Sequence, residues 1–228
     1  MKFLLTIFLI SVSTSSSALL YKEEAFKCPI GGEEFITNIP RSSHHVGART
    51  DYKPFGMLEA PWPHPVCPEN GFVMYDDKFS VKEIKVIKPY IFSLEYQGYR
   101  LSETRHFLLA KIFEYQQRPI SEIADTYLKA SWEAEGGPNY NRYLKLALGA
   151  FELSLKQDNT HIKPNWHDQY MLVELNRLLG NFKVATVELE NLKALNQTDE
   201  YRLSRQRFEQ DLIQERNFRA WLLPDGYY

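Results

Sequence analysis

The stretch LLGNFKVATVELENLKAL, Leu178 to Leu195, reads as the end of one helix, a tight turn and the whole of a second helix. Leu179 and Gly180 close the first helix, because glycine takes the left-handed geometry in which helices often end. Phe182 sits in the elbow. Ala185, Leu189 and Leu192 recur at helical spacing to make the seam of the second helix, with Ala185 small enough for close packing. A hairpin of this kind places the chain in the mainly α class, and the same grammar extends outward. The first helix of the pair is expected over Asn165 to Leu179 and the second over Phe182 to Leu195. Upstream, Tyr143, Leu144, Ala147, Phe151 and Leu155 form one apolar stripe on a helix from Tyr140 to Lys156, behind the Gly136-Gly137-Pro138 stop. Ser102 to Gln117 and Ile120 to Glu135 read as two more helices separated by Pro119. Ser80 and Glu83 fit a capping box opening another helix, with Pro89 expected to break or kink it. Downstream, a strongly charged helix is expected from Asp199 to Ala220.

Residues 19 to 78 are built differently. They hold both cysteines, three of the six histidines (His44, His45, His64) and seven of the twelve prolines. Proline fixes φ and offers no backbone donor, so KPFGMLEAPWPHPVCP, Lys53 to Pro68, is neither helix nor central strand. Strands are expected at Glu34 to Ile39 and Gly71 to Tyr75, in a loop-rich module of two short hairpins that needs a staple or a neighbour. The division is therefore 1–18, 19–78 and 79–228. The first of these has a charged start at Lys2, an apolar run from Phe3 to Val12 and a small-residue end at Ala18, the pattern of a secretory signal cleaved before Leu19. The apolar run is too short for a membrane span, so no stable membrane insertion is expected once it is removed. A net charge of −2 argues against a nucleic-acid partner, which would require a basic face.

Two resemblances follow from these residues. The Leu179, Gly180, Phe182, Ala185 turn resembles that of a tetratricopeptide repeat, although Gln169 and Asn176 stand where that family places large apolar residues. FKCPIGGEEF (Phe26 to Phe35) and VCPENGF (Val66 to Phe72) resemble zinc knuckles that read Cys-Pro-x-Cys-Gly, with Gly31 and Asn70 in place of the second thiolates. Two such knuckles around an arginine-aspartate segment (here Arg49-Thr50-Asp51), ahead of tetratricopeptide-like helices, resemble an uncharacterised bacterial family. That likeness implies a degenerate zinc-ribbon-like module joined to helical hairpins, and no known reaction.

A structural zinc site needs four ligands, and only Cys28 and Cys67 remain of the four thiolates. In an oxidising compartment two thiols of a small module pair, so a Cys28–Cys67 disulfide is expected in place of metal, with no cofactor. Catalytic signatures are lacking: there is no His-Glu-x-x-His, Gly-x-Ser-x-Gly, P-loop or dinucleotide fingerprint. His106 with Glu103, and His161, His167 and Asp168, read as polar surface groups. Tyr52, Phe55, Trp62 and Phe72 are expected to pack beneath the staple, and WLLPDGYY (Trp221 to Tyr228) to dock back as a cap. The sequence thus points to an exported, periplasmic or secreted, non-enzymatic interaction or scaffold protein that binds a protein or peptide through a helical groove. The alternative is a zinc-binding or enzymatic protein working through Cys28, Cys67 and the nearby histidines.

Overall fold

The structure, a computed structural model, describes residues 21–41, 45–157, 165–195 and 198–223. The leader pattern, His44, His161 and the last five residues lie outside these. Two antiparallel hairpins come first. β1 (Tyr21–Lys27) pairs with β2 (Glu34–Pro40), and β3 (His45–Ala48) with β4 (Pro54–Gly56). The strand expected at Gly71 to Tyr75 is absent; only a single bridge joins Val66 to Val73. Pro65 and Pro68 deny that stretch its ladder donors, and Cys67 to Phe72 closes into a turn instead.

The helices are α1 (Val81–Ile91), α2 (Leu94–Arg100), α3 (Arg105–Tyr115), α4 (Ile120–Glu133), α5 (Tyr140–Gln157), α6 (Trp166–Leu178), α7 (Phe182–Lys193) and α8 (Glu200–Gln214). The Ser80–Glu83 capping box forms as expected, with both reciprocal hydrogen bonds. Pro89 lies in the last turn of α1, so the expected break comes just beyond it. Ser93 then caps the short α2, which the sequence did not announce. Helix α8 stops six residues short of the expected Ala220, because Arg216 turns left-handed (φ 53°).

The turn between α6 and α7 closes as read. Gly180 has φ 77°, its N–H donates to the Arg177 carbonyl (2.9 Å), and the Asn181 N–H reaches the Asn176 carbonyl (2.8 Å). This double closure satisfies carbonyls that a helix end leaves unpaired. The same closure ends α3 at Gln117 (φ 55°), which is exposed and forms no side-chain hydrogen bond among the described residues. A side chain in that conformation costs about 1–2 kcal/mol, part of which glycine returns as chain entropy. Gln117→Gly is therefore expected to raise stability by about 0.5–1 kcal/mol. Denaturant titration reads it, and a lowered midpoint would contradict the assignment.

Each helix packs on its neighbours in sequence, and α8 also returns to α6. Among the described residues no contact of similar extent joins the first helices to the last, so the array is open and not a closed ring. One continuous buried core runs from Cys28 to Ile213, across the boundary at 78. The joint is specific. Phe72 packs edge-on to Phe79 (5.2 Å between ring centres), Tyr75 packs on Phe113 (5.1 Å), and the Tyr96 hydroxyl donates to the Gly71 carbonyl (2.8 Å).

Candidate functional site

Three features of the module meet the helices: the paired cysteine turns, the Arg49–Lys53 loop and the proline-rich strap of residues 59–66.

The two cysteine turns share one hydrogen-bond pattern. The Cys28 N–H donates to the Glu33 carbonyl (2.8 Å) and the Gly32 N–H to the Cys28 carbonyl (2.9 Å). In the second turn the Cys67 N–H donates to the Phe72 carbonyl and the Gly71 N–H to the Cys67 carbonyl, both at 2.9 Å. Gly32 and Gly71 are both left-handed, the conformation in which a Cβ is penalised. The turns face each other, and Cys28 and Cys67 are joined in a disulfide with 5.5 Å between Cα atoms, inside the range such a bond requires. Both cysteines are buried.

The positions at which a Cys-Pro-x-Cys knuckle would carry its second thiolate are filled by other groups. A Cβ at Gly31 would lie 2.0 Å from Glu33 Oε2 and 3.1 Å from Asn70 Nδ2, so the Glu33 carboxylate stands where a side chain at 31 would project. Asn70, buried at the equivalent place in the second turn, donates from Nδ2 to Cys28 Sγ and to Glu33 Oε1, each at 3.3 Å. Its Oδ1 accepts the Phe72 N–H (2.9 Å). Among the described residues, Glu33 is the one group that joins the two sulfurs at ligand reach; no histidine does.

The Arg49-Thr50-Asp51 segment is the hub between module and helices. Arg49 grips Asp51 with two nitrogens (3.0 and 2.6 Å) and reaches Glu135, just past α4, with a third (2.6 Å). Lys53 holds the other oxygen of Glu135 (2.9 Å). Burial alone would raise Glu135; Lys53 and Arg49 overcome it and hold the carboxyl below its usual range. Thr50 is wholly buried, and its main chain is read like a ligand's. Its carbonyl accepts from the Tyr170 hydroxyl (3.0 Å) and Arg205 (3.2 Å), and its hydroxyl oxygen from Arg177 (3.2 Å).

Arg177 and Arg205 are the largest fully buried side chains. Arg177 pairs with Glu174 and with Glu209 (2.8 Å), and donates to the carbonyls of Asn217 and Arg219 (2.8 Å each). Arg205 lies 3.9 Å from the Tyr52 ring centre and donates to the Tyr201 hydroxyl (2.8 Å). That contact accompanies a left-handed Tyr52 (φ 62°). Burial pushes the Glu174 carboxyl far up, with Arg177 pulling the other way.

The C-terminal segment also meets this loop. The Thr50 N–H donates to the Trp221 carbonyl (2.8 Å) and the Leu223 N–H to the Ala48 carbonyl (3.1 Å), with a bridge between Arg49 and Leu222. The segment expected to cap the helices thus forms, in its described part, a single bridge and two flanking hydrogen bonds beside the chain that continues β3. Leu223 is buried, while Trp221 and Leu222 remain partly open.

The strap Ala60-Pro61-Trp62-Pro63-His64-Pro65 lies against α3 and α4. Trp62 stacks flat on His45 (5.3 Å, 12°), and the His64 ring lies 5.3 Å from that of His106. His106, expected on the surface, is buried; its Nδ1 is 2.9 Å from Glu133. Two cavities of about 350 and 360 Å³ meet at His64, His106 and Lys129. The first is walled by Pro54, Pro61, Trp62 and Trp132, the second by Tyr75, Phe113 and Asp125.

Burial, followed by His106, Lys129 and Arg105, lowers His64 to about 4 against Glu133, which pulls upward. Between pH 6.5 and 4 the unfolded chain binds this proton and the folded chain does not, so stability rises with pH across that window. The thermal midpoint is expected to fall as pH is lowered through it, with a shallower slope in His64→Gln. An equal slope in both proteins would remove His64 as the cause.

Asp168, read as a surface group, is buried and accepts from Ser154 (2.6 Å) and Asn165 (3.2 Å). His167 lies 3.3 Å from Asp168, but Ser154 donates to that carboxylate and not to the imidazole, so the Ser-His-Asp order of a triad is not formed. Leu179, Gly180, Phe182 and Ala185 form the α6–α7 turn, Phe182 half-covered by Arg216 (5.2 Å). Comparison with protein families, with curated proteins and with solved structures finds no match to this chain.

Proposed function

We propose that the protein is an exported, non-enzymatic interaction protein whose helices bind an extended segment of a protein or peptide. The observation that carries this reading is the treatment of its own chain. The helices hold Thr50 through its carbonyl and hydroxyl and the strap through His106, with unfilled volume beside the strap. Main-chain hydrogen bonds with pockets alongside are the means by which extended ligands are recognised.

The leader pattern and the Cys28–Cys67 bond together support export. No described helix is long and apolar enough to cross a membrane. The matching hydrogen bonds of the two turns also favour a divergent two-knuckle module that has exchanged metal for a disulfide. A zinc-binding or enzymatic role for Cys28 and Cys67 would first require that bond to be reduced.

Panning a displayed random-peptide library against residues 19–228 tests the reading. Enrichment of a consensus is expected, with binding lost in Trp62→Ala and retained in Val187→Ala on the exposed side of α7. Absence of enrichment, or equal loss in both variants, would contradict it.

A further inference from the structure

The cavity between the strap and α4 has a chemistry of its own. Its walls are flat and apolar: the Trp62 ring, which is 44% exposed, Pro61 and Pro54 face it together with the buried Trp132. Its volume of about 350 Å³ lies at the small end of ligand sites, enough for one ring and a short substituent. His45, which also lines the cavity, stacks on Trp62 at 5.3 Å, so the platform is braced before anything binds.

The electrostatics are one-sided. Lys129 borders the cavity and Arg105 lies on the far side of Trp132; neither takes part in an ion pair among the described residues. Both act on the strap, since they contribute to the lowering of His64. The nearest carboxylate, Glu133, is engaged by the His106 ring and main chain. Of the acids of the adjoining cavity, Glu122 pairs with Arg118 (3.0 Å), while Asp125 lies 4.0 Å from His167 and is also attracted by Lys129 without a contact pair. Lys129, which forms no contact ion pair among the described residues although it attracts Asp125 one turn back, places a cation at the rim of an apolar slot. Such a cation attracts an anion, and the slot's shape selects a flat apolar group attached to it.

We propose that this cavity binds an aromatic carboxylate, with its ring against Trp62 and Pro61 and its carboxylate on Lys129. The same chemistry has two sources, a free arylacetic acid and the C-terminal aromatic residue of a peptide. The second rests on the peptide-binding reading above; the first does not.

The test uses the mature chain, residues 19–228, titrated calorimetrically with phenylacetate, N-acetyl-L-phenylalanine and N-acetyl-L-phenylalaninamide. At least one acid is expected to bind. The amide, with the ring but no charge, is expected to bind about tenfold more weakly than its parent acid, the size of a lost charge-assisted contact. Lys129→Met should remove most of that difference while leaving the amide unchanged, and added salt should weaken the acid alone. Lys129 is exposed, and an unchanged thermal midpoint establishes that the variant is folded.

Tighter binding of phenylacetate identifies a small-molecule site; tighter binding of N-acetyl-L-phenylalanine identifies a peptide C-terminus. Acid binding without any enriched peptide in the panning would keep the cavity's chemistry and remove the peptide reading. Equal affinity for acid and amide, indifference to Lys129→Met, or no binding at millimolar concentration would each overturn the proposal.

Discussion

Arg177→Met is expected to lower the free energy of unfolding by about 3–5 kcal/mol, the usual cost of removing one partner from a buried ion pair. The guanidinium is fully buried and spends its donors on Glu174, Glu209, Thr50 and the carbonyls of Asn217 and Arg219. Methionine fills much of the volume but supplies no donor, so two carboxylates and two carbonyls lose their partner where water does not reach. Arg177→Lys is expected to fare little better, since one ammonium cannot reproduce a planar fork with five donors. A triple variant that also carries Glu174→Leu and Glu209→Leu should recover a large part of the loss, because it removes the stranded charges together with their partner. Urea unfolding of the three proteins measures this. A loss below about 1 kcal/mol for Arg177→Met would mean that the network behaves like a solvated surface pair. The Arg49–Lys53 loop would then not depend on it.

Cys28→Ala combined with Cys67→Ala should cost about 4 kcal/mol, from the loop entropy returned to the unfolded chain. The two residues are 39 apart, and the stretch between them holds β2, β3, β4 and the strap. The loss should also fall unevenly. Between the two cysteine turns the Asn70–Glu33 hydrogen bond would remain, with carbonyls of the turns held by Lys88, Tyr96, Gln97 and Arg100. The Arg49–Lys53 loop, by contrast, keeps its buried grip on α6 and α8 and its pairs with Glu135. Hydrogen exchange is therefore expected to speed up first at the Cys28 and Cys67 turns and only later at Thr50. Uniform loss of protection over both would show that staple and loop form a single cooperative unit.

The helical part was readable because its signals are local. Gly180, the Ser80–Glu83 box and the stripe from Tyr143 to Phe151 each act within a few residues, and they landed where the periodicity placed them. Helix α2 escaped notice because seven residues containing Gly98 are too short to show a period; its one clue is Ser93, whose side chain caps it. The disulfide was readable because two cysteines in one small module leave a single pairing. Its setting was not: Glu33 and Asn70 meet beside the sulfurs only once the two turns face each other.

Charge was the main source of error. Arg205 and Glu209 lie on a helix whose composition reads as solvated, yet both are fully buried by a loop more than 150 residues upstream. His106 and Asp168 were misread for the same reason. Burial of a polar group is decided by partners distant in sequence, such as Glu133 for His106 and Ser154 for Asp168. The C-terminal bridge is likewise a long-range pairing, with Thr50 bonded to Trp221. A hint existed: Arg49-Thr50-Asp51 was singled out in the sequence, though nothing local said that two arginines would close over it.

The proposal that a disulfide stands in place of a metal is decided by one measurement on the protein isolated without reductant, counting its alkylatable thiols by mass spectrometry before and after reduction, with metal analysis of the same sample. The expected result is no reactive thiol before reduction, two after it, and no stoichiometric zinc. Two thiols free in the unreduced protein, accompanied by one zinc per chain, would contradict it.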